Sequence, residues 1–159
     1  MNIFAIIILA TLLVDFVLNT VADLYNLKSL DKGLPDEFSE VYDEDTYDKS
    51  QRYTKVRTKF GFVTSIFNLA LLLGFWFAGG FQWLDAIVRS WELGTIWTGL
   101  AYIGVLLLAR QVITLSFSIY STFVIEERFG FNKTTPKTFV MDMLKGLGLG
   151  IALGGPLLA

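Results

Sequence analysis

The chain has 159 residues, 13 Lys and Arg against 15 Asp and Glu, a net charge of -2 and a mean hydropathy of +0.54. It contains no Cys and no His, which excludes disulfides, thiolate and HExxH zinc sites, a cysteine nucleophile and a Ser-His-Asp triad. Charged residues reach only 18%, below the roughly 25% usual in soluble domains, and Lys and Arg are interleaved with Asp and Glu, so no basic face for nucleic acid is formed.

The apolar residues fall in long blocks and most charges lie between them. This predicts an all-α, multi-pass transmembrane bundle in a lipid bilayer, with three full spans and the start of a fourth. The first block covers residues 3–18 with Asp15 as its one charge. Extended to residue 22 it reaches the roughly 20 residues that a crossing needs. A signal peptide is the alternative, but Met1 and Asn2 supply no basic leader and no small-residue cleavage site follows. An uncleaved span over 3–22 is expected.

Residues 23–59 are dense in both charge signs and carry Pro35 and the acidic run Asp43, Glu44, Asp45. A loop of this length without structure is uncommon, so a juxtamembrane helix is expected from about Pro35. It is either a docking element or a solvated connector. The second span is expected over 60–81, with Asn68 among its few polar residues and Gly79-Gly80 ending it. Residues 82–92 read as an amphipathic link whose Trp83 and Trp91 suit the headgroup region.

The third block, 93–125, would be roughly 50 Å long as a helix against a hydrocarbon core of about 30 Å. It has no proline, so it is expected to protrude on one side. Arg110 and Gln111 lie near its middle. Residues 126–138 are polar again, and Thr135 before Pro136 fits an N-cap with proline at the first helical position. The last block, over 139–159, carries Asp142 and Lys145 and then stays apolar to Ala159. Residues 146–159 give only about 21 Å of helix, and a carboxylate left in hydrocarbon is costly. A piece of a longer protein is therefore expected. The alternative is a complete short span with Asp142 and Lys145 at the interface.

Basic residues concentrate in two loops: Lys28, Lys32, Lys49, Arg52, Lys55, Arg57 and Lys59 in the first, and Arg128, Lys133, Lys137 and Lys145 in the second. The link between them holds only Arg89. Alternating crossings put both basic loops on one side, which the positive-inside rule assigns to the cytoplasm, leaving the N-terminus outside. Ionisable groups at bilayer depth usually face a partner or a wet cavity. Asp15 and Arg110 are thus candidates to face a polar chamber and pair with each other. Alternatively, Asp15 sits at the first span's cytoplasmic end and Arg110 snorkels. Asn68 and Gln111 are candidate interhelix hydrogen-bonding groups.

The most specific stretch is 118–145, SIYSTFVIEERFGFNKTTPKTFVMDMLK. Through Tyr120-Ser121, Phe123, Ile125-Glu126-Glu127, Gly130-Phe131-Asn132, Thr134, Asp142 and Lys145 it resembles a signature in the N-terminal membrane region of the integral-membrane CAAX prenyl protease 1 family of zinc metalloproteases. The run YDKSQRYTKVRTKFGF over 47–62 is similar to that family's first cytoplasmic loop entering its second span. In style the sequence resembles the bacterial homologues, which places it in a bacterial inner membrane. The resemblance implies a seven-span protein around a water-filled intramembrane chamber. It also implies a zinc ion held by two His of an HExxH helix and a later Glu, and hydrolysis of prenylated CAAX-ending proteins or, in bacteria, of other membrane peptides or proteins. None of those catalytic or metal-binding residues has a counterpart here, so this chain is expected to hold no cofactor and to need the C-terminal catalytic part as its partner. Glu126 and Glu127 either ion-pair with Arg128 and Lys133 or form a solvated surface, and Gly130 is expected to supply a backbone conformation that larger residues resist. Two other functions stay open: a non-enzymatic membrane scaffold or assembly subunit, and a small transporter subunit. Solute flux through the chain in liposomes would favour the transporter.

Overall fold

In the computed structural model, residues 2–30 and 43–158 are described. They form five α-helices and one π-helical segment, with no strand among them. The order is α1 (Ile3–Ser29), α2 (Glu44–Phe77), α3 (Gly80–Arg89), α4 (Thr95–Tyr120), the π segment (Ser121–Glu126) and α5 (Pro136–Leu158). The all-α reading holds. Four helices are long and apolar enough to cross a membrane: α1, α2, α4 with its π continuation, and α5. The protein is therefore an integral, multi-pass membrane protein whose solvent is the lipid bilayer.

The chain divides into two compact units, residues 1–69 and 70–159. In the first, Asn2 caps α1, its Oδ1 accepting from the Ala5 N–H at 2.9 Å. The helix then runs past the expected span to Ser29 and carries Lys28 in its last turn, where a cation complements the helix dipole. The expected helix start near Pro35 lies outside the described residues. Asp43 starts α2, its carboxylate accepting from the Thr46 N–H at 3.0 Å and the Thr46 hydroxyl at 2.9 Å. The α2 helix runs 34 residues without a break, through the charged stretch and on into the apolar one.

In the second unit α2 stops after Phe77, and Gly79 turns the chain with φ +75° before α3. Gly80 is buried, and a Cβ there would fall well inside contact with the Phe75 ring. That close approach lets Phe75 and Phe81 meet edge to face, with ring centroids 4.9 Å apart. The amphipathic link is thus a ten-residue helix. Its Leu84 and Val88 are buried and α3 packs against α4, while Trp83 on α3 and Trp91 just after it are exposed.

The third hydrophobic block continues from α4 into the π segment and remains helical to residue 128. In a π turn the repeat is wider than in an α-helix, which re-aims the side chains that follow. Here it accompanies the burial of Ile125, one of three buried apolar side chains among the described residues.

Candidate functional site

The signature stretch folds into a helix stop and restart wired by its own residues. Gly130 has φ +67°, the left-handed conformation that glycine adopts at low cost. Its N–H donates to the Glu127 carbonyl at 2.9 Å, and the Phe131 N–H donates to the Glu126 carbonyl at 2.9 Å. This pair of bonds is a Schellman motif, which satisfies carbonyls that a helix end otherwise leaves open. The Asn132 N–H joins on the Glu126 carbonyl at 3.3 Å.

Side chains complete the turn. Asn132 donates through Nδ2 to the Glu127 carboxylate at 2.9 Å, and its Oδ1 accepts from the Thr134 N–H at 2.7 Å. Thr135 Oγ1 accepts from the Thr138 N–H at 3.1 Å, and α5 starts at Pro136. Phe123 and Phe139 pack edge to face with centroids 5.5 Å apart, joining the π segment to the first turn of α5. The structure thus brings Glu126, Glu127, Gly130, Phe131 and Asn132 into one turn. Tyr120 lies just before it, half exposed. Asp142 and Lys145 form an exposed pair at 3.6 Å, one turn apart on α5.

Asp15, Asn68, Arg110 and Gln111, polar residues inside apolar stretches, are each exposed on their own units. Asp15 on α1 and Asn68 on α2 belong to the first unit, and Arg110 and Gln111 on α4 to the second. The Asn19 amide donates to the Asp15 carbonyl at 2.9 Å, and the Thr114 hydroxyl bonds the Arg110 carbonyl at 2.9 Å. These bonds engage the backbone carbonyls of Asp15 and Arg110 and not their side chains.

A further polar cluster is not evident from the sequence. Asp85, Arg89 and Glu92 from α3 and its end meet Thr95, Thr98 and Tyr102 of α4 around a recess of about 530 Å³. Arg89 Nε donates to Asp85 Oδ2 at 2.7 Å, and this hydrogen bond and the adjacent charge hold the guanidinium pKa above its ordinary value. Spacing is part of the signal, since 85 and 89, like 95, 98 and 102, fall on single helix faces, whereas Glu92 lies beyond the end of α3. That the two faces oppose each other is a tertiary fact.

A catalytic zinc site of the kind the sequence resemblance implies does not fit these residues. The chain has no His or Cys, and among the described residues no three Asp or Glu side chains gather where they can hold an ion. Of the two signature carboxylates, Glu127 is engaged by Asn132.

The chain is similar to known proteins along most of its length. The family model described as CAAX prenyl protease N-terminal, five membrane helices, matches residues 23–159. The CAAX prenyl protease 1 of Saccharomyces cerevisiae is 35% identical over 136 residues, 79% of this chain and 30% of that protein. The CAAX prenyl protease 1 homolog of Arabidopsis thaliana is 31% identical over 156 residues, 93% of this chain and 37% of that protein. The crystal structure of S. mikatae Ste24p superposes with a TM-score of 0.88 at 31% identity, covering 99% of this chain and 38% of that one. The chain therefore spans about a third of the length of these relatives. By this match over most of its residues, the chain belongs to the family of CAAX prenyl protease N-terminal membrane regions.

Proposed function

We propose that this chain is the membrane wall of a CAAX prenyl protease 1-like zinc metalloendopeptidase, non-catalytic alone and completed by a C-terminal catalytic part that brings the zinc ligands and the general base. The observation that carries this reading is the superposition on Ste24p across 99% of the chain. The absence of His and Cys supports the division of labour. Peptides or proteins from the membrane, prenylated CAAX-ending chains among them, are the substrates of the completed enzyme. Asp15 and Arg110 each face its polar chamber, and Asn68 and Gln111 serve as chamber or interhelix hydrogen-bonding groups. The spans lie near residues 3–22, 60–81, 93–125 and 139–159.

The isolated chain in liposomes is expected to cleave no prenylated CAAX peptide. Joined to a downstream segment carrying an HExxH helix, it is expected to do so in a chelator-sensitive way. Zinc-dependent cleavage by the 159 residues alone would overturn the proposal, and so would a completed protein whose activity is unchanged when these 159 residues are removed.

Orientation belongs to the same proposal. The basic loops face the cytoplasm, and α3 with the N-terminus faces outward, on the charge rule alone. A bacterial inner membrane is proposed from the style of the sequence, while the relatives named above are from a yeast and a plant. The cysteine-free chain makes sidedness simple to read. Ser90→Cys is expected to react with an impermeant maleimide on intact cells, and Lys133→Cys only after lysis. The reverse pattern would invert the topology, and fractionation of the source organism would identify the membrane.

A further inference from the structure

The recess between α3 and α4 gathers carboxylates, a guanidinium and hydroxyls around open space. On α3, Asp85 and Arg89 stand one turn apart, and Glu92 follows at the end of the helix. Glu92 has φ +53°, the one non-glycine residue with positive φ among those described. On α4, Thr95, Thr98 and Tyr102 put three hydroxyls on one face of the first turns of the helix. Between them, Gly99 leaves open space where a Cβ would stand. The recess of about 530 Å³ is therefore walled by carboxylates and a guanidinium on one side and hydroxyls on the other.

Its charges are only partly spent on each other. The bond from Arg89 Nε to Asp85 uses one N–H of the guanidinium, and the Nη groups have no partner among the described residues. The Glu92 carboxylate has none either. Arg89 thus offers the fork geometry that suits phosphate oxygens. Asp85 and Glu92 offer acceptors to an ammonium group, and the hydroxyls serve either. A ligand that satisfies all of them carries an anionic phosphate and a cationic amine a few bonds apart.

Position selects the source. The recess lies in the connection between two membrane-spanning helices. Trp83, Trp91 and Trp97 beside it in sequence are 64%, 49% and 67% exposed. Exposed indoles at the end of a span mark the level of lipid headgroups. We propose that the recess binds the headgroup of a zwitterionic phospholipid with a primary amine, phosphatidylethanolamine in chemistry. Arg89 holds the phosphate, Asp85 and Glu92 hold the ammonium, and the Thr95, Thr98 and Tyr102 hydroxyls fill the remaining hydrogen bonds. The site is independent of the protease reading, since it uses none of the signature or chamber residues.

Native mass spectrometry of the full chain in detergent tests this, with phosphatidylethanolamine, phosphatidylcholine and phosphatidylglycerol of matched acyl chains as probes. Phosphatidylethanolamine is expected to be retained about tenfold better than either, because only it supplies both the anion and N–H donors. Arg89→Gln is expected to reduce that retention about tenfold and Tyr102→Phe about threefold. Far-UV circular dichroism checks the fold, and if Arg89→Gln loses helicity, Glu92→Gln and Tyr102→Phe decide instead. Equal retention of phosphatidylcholine would overturn the role of the ammonium, and equal retention of phosphatidylglycerol the zwitterionic site as a whole. Well-folded Glu92→Gln and Tyr102→Phe variants with unchanged selectivity would also overturn it. Free phosphoethanolamine is expected to compete only at far higher concentration than the lipid. Competition at equal concentration would overturn the membrane source.

Discussion

The two polar breaks of the second unit solve the same problem in opposite ways. The signature turn, from Glu126 to Pro136, spends its polar groups on itself: Gly130, Phe131 and Asn132 close the outgoing helix, Asn132 ties Glu127 to Thr134, and Thr135 opens α5. The α3 link is held instead by packing, through Leu84, Val88 and the Phe75–Phe81 contact around Gly80. Its charges face an open recess. A turn held by hydrogen bonds needs particular residues at particular positions. A link held by apolar contacts does not need its polar residues for the turn itself.

Substitutions can break this contrast, and the steepest loss is expected on the packed side. Gly80→Val forces a branched side chain into the Phe75 ring and should destabilise by about 1–3 kcal/mol, as overpacked sites do. Melting followed by tryptophan fluorescence in detergent measures it, and Phe75→Leu in the same chain should restore part of the loss. In the turn, Gly130→Val must hold a β-branched residue at positive φ, for about 1–2 kcal/mol. Gly130→Asn should cost clearly less, because Asn tolerates that conformation, and equal losses in the two variants would remove the backbone explanation.

Smaller effects follow from single hydrogen bonds. Asn132→Ala and Thr135→Ala should each cost about 1 kcal/mol, the first by untying Glu127 from Thr134 and the second by uncapping α5. Thr135→Ser should keep the cap. The smallest change is expected at the Asp142–Lys145 pair, where both side chains are more than half exposed. Lys145→Ala should shift stability by less than about 0.5 kcal/mol, and salt should erase even that. A loss above 1 kcal/mol there would show that the pair lies in a drier setting than its exposure indicates.

Much of this architecture can be read without coordinates because membrane helices obey local rules. Long apolar blocks must be helical in lipid, where each backbone N–H needs a partner within its own segment. Thr135-Pro136 announces a helix start from two residues, and α5 begins there. Gly79-Gly80 announces a stop, and the chain turns at Gly79. The family resemblance is carried by 118–145, where residues that close and restart a helix stand in a fixed order. The unbroken course of α2 is harder to see. Composition changes sharply near Phe60, but neither proline nor a left-handed glycine interrupts the helix, so hydrogen bonding continues across the water boundary.

The amino-acid order alone determined the long apolar helices, their polar ends, the lipid solvent and the absence of His and Cys, because each depends on residue type or on spacing within one segment. The tertiary structure decided that α4 continues through a π turn onto a buried Ile125, that Phe123 meets Phe139, and that polar residues of α3, its end and α4 surround a recess. Those depend on the register and crossing of separate helices. A periodic pattern shows which residues share a face, but what that face meets is set by packing.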